Sequence, residues 1–158
     1  MSLHAAVVVA SNRAAAGVYE DATGPVIVDF LRGLGFAVEA AAVVPDGEPV
    51  GHAIIAAAEA GARVVLTTGG TGLTPTDRTP EVTRSLLDYE VPGIAEAIRA
   101  HGVSVGVPTA ILSRGVAGVI GSCLVVNLPG SRGGVRDGLA VLGPVLVHAA
   151  EQVVGSDH

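Results

Sequence analysis

Apolar residues run without a break over residues 5–10, Ala-Ala-Val-Val-Val-Ala, a pattern that predicts a strand buried on both faces. After a polar loop, Ile27, Phe30, Leu31 and Leu34 recur at the spacing of one helical face, in a helix that begins near Pro25 and stops at Gly35. Residues 36–44 read as a second strand, closed by Pro45-Asp46-Gly47. Residues 50–60 read as a second helix, with Ile54, Ala57 and Ala58 on one side and Gly61 as its stop, and residues 64–68 as a third strand. Strand and helix alternating in this way predict a parallel sheet with right-handed crossovers and helices on both faces.

The second half is mixed. Thr79-Pro80-Glu81 reads as a helix start, with Thr79 as N-cap, proline at the first helical position and an acid in the first turn. Pro92 opens a helix in which Ile94, Ala97, Ile98 and His101 share a face, and residues 107–112 read as a strand. Residues 116–120 and 123–128 flank Gly121-Ser122, a two-residue hairpin signal. Ser131 then caps a helix, and Leu142, Val145, Leu146, Ala149, Ala150, Val153 and Val154 form one apolar stripe on the last helix. The hairpin is expected beside, or projecting from, an otherwise parallel sheet.

The chain has 158 residues, the size of one domain, and no linker, repeat or low-complexity tract divides it. Hydrophobic residues make up 49% and charged residues 15%, which excludes intrinsic disorder and points to surface covered by subunit contact. All nine basic residues are arginine, and the net charge of −6 argues against a main role on nucleic acid or an anionic membrane. The single Cys123 has no partner for an internal disulfide, no signal peptide is visible after Met1-Ser2, and no apolar stretch reaches a membrane span. A cytoplasmic protein is expected.

Ligands of open α/β sheets bind at the carboxyl ends of the strands. That rule selects loops beginning at Ser11-Asn12-Arg13, at Pro45-Asp46-Gly47, at Thr67 and at Asn127. Residues 67–80, TTGGTGLTPTDRTP, hold three glycines that let backbone approach an anion (Gly69, Gly70 and Gly72), the hydroxyls of Thr71 and Thr74, and Asp77. Asp77 could hold a magnesium ion, accept hydrogen bonds from a heterocycle, or cap the following helix. No Gly-Lys-Ser/Thr and no complete dinucleotide fingerprint is present. Pro129-Gly130-Ser131, running into a helix beside Arg132, is a second anion candidate. Asp46 and Asp77 on one edge, among phosphate-binding loops, make a candidate Mg²⁺-nucleotide site. The scattered histidines offer no zinc spacing, and Gly102-Val103-Ser104-Val105-Gly106 matches a nucleophile pattern only at a helix end, the wrong context.

Taken together, Ser11-Asn12-Arg13, Gly17-Val18-Tyr19-Glu20-Asp21, Val44-Pro45-Asp46, residues 67–81, Val91-Pro92-Gly93, residues 108–114 and Asn127-Leu128-Pro129-Gly130-Ser131 resemble, in order, the molybdopterin adenylyltransferases of the MogA/MoaB family. The resemblance implies a three-layer α/β/α fold with a mostly parallel sheet and an added β-hairpin. It also implies a homotrimer and a role in molybdenum cofactor biosynthesis. Such enzymes transfer AMP from Mg-ATP to the terminal phosphate of molybdopterin, release pyrophosphate, and pass the product to a molybdenum-insertion protein. Asp46 and Asp77 match the family's essential aspartates. Ser113 matches a serine of its pterin-side pocket, beside Arg114, and the Gly69–Gly72 loop and Gly130-Ser131 match ligand-contacting backbone. The chain departs from the family at Asn12, where many relatives have aspartate, and at Arg132, where proline is frequent. A non-catalytic molybdopterin-binding member is the alternative within the resemblance. A flavodoxin-like signalling domain would need a clustered acidic pocket and a lysine, and the chain has no lysine.

Overall fold

The computed structural model describes residues 3–18 and 20–155; Tyr19 of the quoted motif and Met1-Ser2 lie outside the described residues. Strands β1 (His4–Ala10), β4 (Val64–Thr68) and β7 (Cys123–Leu128) form the parallel centre of a sheet ordered β2-β1-β4-β7-β6-β5, with β2 (Ala37–Val38) and β3 (Ala42–Val44) both paired to β1. β6 (Ala117–Ile120) runs antiparallel to β7 across the Gly121-Ser122 turn, and β5 (Tyr89–Glu90) closes the edge of β6. The hairpin therefore belongs to the sheet. Among the described residues no helix is long and apolar enough to cross a membrane.

Alternation along each central strand divides the core into two. Ala5, Val7 and Val9 of β1, Val64 and Leu66 of β4, and Leu124, Val126 and Leu128 of β7 face one layer. There they meet Ile27 and Leu31 of α2 (Gly24–Gly33), Ile98 of α5 (Pro92–Ser104), Val135, Leu139 and Leu142 of α6 (Arg132–Leu142), and Leu146 and Ala150 of α7 (Leu146–Val153). Val8, Ala10, Val65, Cys123 and Val125 face the other layer, against Val50 and Ile54 of α3 (Glu48–Glu59) and Leu86 of α4 (Thr79–Leu86). Two-sided burial is what the unbroken apolar runs encode. Cys123 is a core side chain, and burial pushes its thiol up to about 11.

Five expectations are corrected. The strand read over residues 36–44 is two strands, because residues 39–41 lie opposite only Ala6 and Val7: His4 pairs Ala37 and Ala5 pairs Val38, but Val8 pairs Ala42. The extra residue lets Val38 and Val43 pack into the same layer, and Arg32 donates from Nε and Nη2 to the Val38 carbonyl at the break (3.2 and 2.7 Å). Residues 107–112 are not a strand. Pro108–Leu112 is a 3₁₀ turn, since β5 already occupies the free edge of β6, and Pro108 suits a helical first turn. That turn sits on Gly102, where a Cβ would lie 2.6 Å from Ala110, so α5 buries Ala95, Ile98 and Gly102 and leaves Ala97 exposed. The last apolar stripe is broken after Leu142 by Gly143-Pro144; Leu142, Leu146 and Ala150 are buried, whereas Val145 and Val154 are exposed. Thr79 is the first residue of α4 and not its N-cap, a position taken by Arg78.

Gly118 of β6 is where β5 docks: a Cβ there would strike the Tyr89 carbonyl and lie 2.5 Å from Leu87 Cδ1. Gly118→Ala is expected to release β5 and lower stability by about 1–3 kcal/mol, read from urea unfolding.

Candidate active site

The carboxyl ends of β3, β1, β4 and β7 lie side by side, and their loops are laced together by hydrogen bonds. Ser11 N donates to the Val44 carbonyl (2.9 Å) and Asp46 N to Asn12 Oδ1 (2.9 Å), which joins the loops after β1 and β3. The Ser11 hydroxyl caps the short α1 (Asn12–Ala15) by accepting from Ala14 N. Gly69 N donates to the Leu128 carbonyl (3.2 Å) and the Thr68 hydroxyl to the Pro129 carbonyl (2.7 Å), which joins the loops after β4 and β7. Gly69 has φ +91 and sits against Gly130 and the Ala10 carbonyl, so no side chain fits there.

Asp46 and Asp77 lie against two glycines of one loop, Asp46 at Gly70 and Asp77 at Gly72. A Cβ on Gly70 (φ +69) would strike Thr79 Oγ1 and lie 3.0 Å from Asp46 Oδ1. Both oxygens are buried and have no hydrogen-bond partner in the protein. Burial raises the Asp46 carboxyl above its usual range, the charge of Asp77 adds to the rise, and a backbone hydrogen bond from Asn12 opposes it. Asp77 Oδ2 accepts from Thr74 N (3.0 Å) and the Thr74 hydroxyl (2.7 Å) and would lie 2.8 Å from a Cβ on Gly72. Asp77 thus folds its own loop and does not cap α4. Among the described residues no group of three or more His, Cys, Asp or Glu side chains could hold a metal, so a cation here takes at most these two carboxylates from the protein.

Arg114 clamps this loop. Its N–H donates to the Thr71 carbonyl, its Nε to Gly72 and its Nη2 to Asp77, each at 2.9 Å, while Nη1 pairs with Glu81 Oε2 at 2.6 Å. The pairing holds the Glu81 carboxyl below its usual range and raises the guanidinium further. Glu81, which the pattern offered only as a first-turn acid, is the clamp's counter-charge. Asn127, 3% exposed, completes the frame: Nδ2 donates to Thr67 Oγ1 (2.9 Å) and Thr83 Oγ1 (3.1 Å), and Oδ1 accepts from Val116 N (3.1 Å).

Two cavities flank the Pro129-Gly130-Ser131 turn. One, about 380 Å³, is bounded by Ser11, Glu20, Asp21, Gly69, Gly130 and Arg132. The other, about 200 Å³, lies between α5, the 3₁₀ turn and α6 and is lined by Ser113, Pro129 and Ser131 among others. Ser131 also caps α6 by accepting from Gly134 N (3.0 Å). Of the predicted site residues, Gly70, Thr71, Gly72, Thr74, Arg114, Asp46 and Asp77 line neither cavity and gather instead around Gly70 and Gly72. Ser104 ends α5 and donates its hydroxyl to the His101 carbonyl (2.7 Å), which agrees with reading its motif as a chance match.

Residues 6–148 match the family model described as probable molybdopterin binding domain. The chain is 42% identical over 155 residues to a molybdenum cofactor biosynthesis bifunctional protein of Synechococcus elongatus, covering 98% of this chain and 48% of that protein. It is 34% identical over 161 residues to a molybdopterin adenylyltransferase of Helicobacter pylori, covering 98% and 90% respectively. The chain therefore spans about half the length of its bifunctional relatives and most of that adenylyltransferase. The solved structure of the molybdopterin biosynthesis Mog protein from Mycobacterium ulcerans superposes with a TM-score of 0.91 at 52% identity, over 96% of this chain and 99% of that one.

Ionising the half-buried Asp46, whose Oδ1 is shielded from solvent, costs stability in the ligand-free protein. The cost is absent below the ordinary carboxylate range and complete above the raised value. Asp46→Asn is expected to raise the melting temperature near neutral pH, with the gain vanishing in acid. Arg114→Lys keeps the charge but loses the fork; hydrogen exchange at the amides of residues 72–77 is expected to quicken by about tenfold with a smaller change elsewhere.

Proposed function

Since this chain belongs to the family of probable molybdopterin binding domains, we propose that it works as a molybdopterin adenylyltransferase in molybdenum cofactor biosynthesis. In this reading residues 1–158 form one molybdopterin-binding domain. The enzyme transfers AMP from ATP to the terminal phosphate of molybdopterin and releases pyrophosphate. A phosphate oxygen of molybdopterin bonds to the α-phosphorus of ATP as the bond from that phosphorus to the pyrophosphate oxygen breaks. The attacking group is already a phosphate, so the protein needs no nucleophile of its own. Its work is positioning and charge neutralisation.

The observation that carries the reading is the unpartnered, buried Asp46 Oδ1 beside Asp77, on the rim where the glycine loops end. A desolvated acceptor next to a second carboxylate fits a divalent cation. Two protein carboxylates with phosphate oxygens and water suit Mg²⁺. Asp46 and Asp77 would hold the ion, which when bound neutralises charge on the reacting phosphates. Gly69, Gly70 and Gly72 present backbone to the phosphates, with the hydroxyls of Thr71 and Thr74 beside them. Ser11, Ser113, Pro129, Gly130 and Ser131 line the flanking cavities that receive the two substrates. Arg114 serves the site by fixing the loop that carries Asp77.

The exposed apolar side chains Val103, Val105, Val107, Ile111 and Leu112 support subunit contact, which we read as a homotrimer working in the cytoplasm and handing its product to a molybdenum-insertion protein.

Asp77→Asn is expected to fold normally, with an unchanged circular dichroism spectrum, and to lose pyrophosphate release from ATP and molybdopterin by about 10²-fold or more. Full release by that variant refutes the assignment. Tight molybdopterin binding by the wild type without any pyrophosphate would identify a non-catalytic member.

A further inference from the structure

Asp137 lies on α6, 9% exposed, and lines the cavity of about 200 Å³ between α5, the 3₁₀ turn and α6. No described residue donates a hydrogen bond to its carboxylate. Its ion-pair partner is the neighbouring Arg136, whose Nε stands 3.7 Å from Oδ1 on a side chain that is 79% exposed. Its side chain is 13% exposed, so the carboxylate meets the cavity without a donor from the protein, and whatever fills the cavity must supply one. Arg99 lines the same cavity, but its Nη1 is spent on the carbonyls of Ser113 (3.4 Å) and Gly115 (3.0 Å). A guanidinium already in the wall disfavours a second cation as the missing partner. Water supplies hydrogen bonds to it while the cavity is empty, and a ligand that displaces that water must bring N–H groups of its own.

The cavity constrains that ligand. At about 200 Å³ it falls below the ~300–1,000 Å³ typical of drug-sized sites, so it takes one ring system and not a whole nucleotide. Ile98, Val107 and Ala110 give the cavity apolar lining as well. The two oxygens of a carboxylate accept two parallel N–H bonds best when both donors lie on one edge. A fused ring with a 2-amino-4-oxopyrimidine edge offers that pair, a ring N–H beside an exocyclic amine. The adenine edge offers a donor beside an acceptor and leaves one carboxylate oxygen facing a lone pair.

We propose that Asp137 is the specificity-determining residue of this cavity, accepting the paired N–H donors of a 2-amino-4-oxopyrimidine edge and so seating the pterin ring. The proposal rests on the reading of the chain as a molybdopterin enzyme and adds to it the residue that tells a pterin from a ring of the same shape. The same edge occurs in guanine, and the test separates the two sources.

The measurement is displacement of bound molybdopterin by three probes: 6-hydroxymethylpterin, 6-hydroxymethyllumazine, in which an oxo group replaces the 2-amino group, and guanosine. The wild type is expected to prefer the pterin over the lumazine by roughly tenfold or more. In Asp137→Asn, whose amide donates to the oxo group, that preference is expected to vanish or reverse. Asp137→Glu, which keeps two acceptors, is expected to bind more weakly but keep the preference. The readout is a ratio, which a general loss of folding does not invert. Equal displacement by pterin and lumazine in the wild type, including none by either, overturns the proposal. So does an unchanged preference in Asp137→Asn, or guanosine displacing as well as the pterin. Pyrophosphate release by the wild type, followed in parallel, keeps the adenylyltransferase reading apart: release with an unchanged preference in Asp137→Asn sinks the Asp137 assignment alone, and its absence sinks the reading itself.

Discussion

One buried side-chain amide, that of Asn127, holds the working end of this molecule together. It stands near the end of the central strand β7, spends both Nδ2 protons on Thr67 of β4 and Thr83 of α4, and accepts from Val116 at the start of β6. An unsatisfied amide at that depth would be expensive, so these partners fix one another's positions. The segment that carries Asp77 leaves β4 one residue after Thr67 and returns to α4 before Thr83. Arg114 precedes Val116 by two residues. The clamp and the loop it grips are thus suspended from the same amide.

This arrangement suits the proposed handling of polyanions by a rim with few charges of its own. The loops are joined chiefly through main-chain groups, with Arg114 taking three carbonyls and one carboxylate. Main-chain lacing is indifferent to the charge of what binds and keeps Asp46 and Asp77 close despite their repulsion. Asp46 bears the cost as a raised pKa, the condition in which a carboxylate gains most from a cation.

Much of the fold could be read from the order of residues because its signals are local. Two-sided burial wrote apolar runs into β1, β4 and β7, and Gly121-Ser122 marked the hairpin. The rim was legible for the same reason: glycines, serines and acids follow directly on those runs. What escaped is held at a distance. β5 is two residues paired only because β6 offers an edge, and the 3₁₀ turn is one because α5 has a glycine beneath it. Arg114 meets Glu81, Asn127 meets Thr67, and neither pairing has a spacing that sequence could reveal. A weak trace existed: Asn127 interrupts an apolar strand, and Asp137 falls among Val135, Gly138 and Leu139, all buried.

The extra residue between β2 and β3 reaches further than its place on the sheet edge suggests. It resets the phase of the strand, so that Val38 and Val43 share a layer although five positions apart, and Val44 turns the opposite way. Asp46 follows two residues later, and its orientation is counted from that reset. Ironing out the bulge while keeping every residue, so that the strand ran regularly on from Val38, would swap inside for outside from Ala42 onward and aim the acid away from Gly70. A slip of register in an edge segment would then act as a mutation of the candidate site.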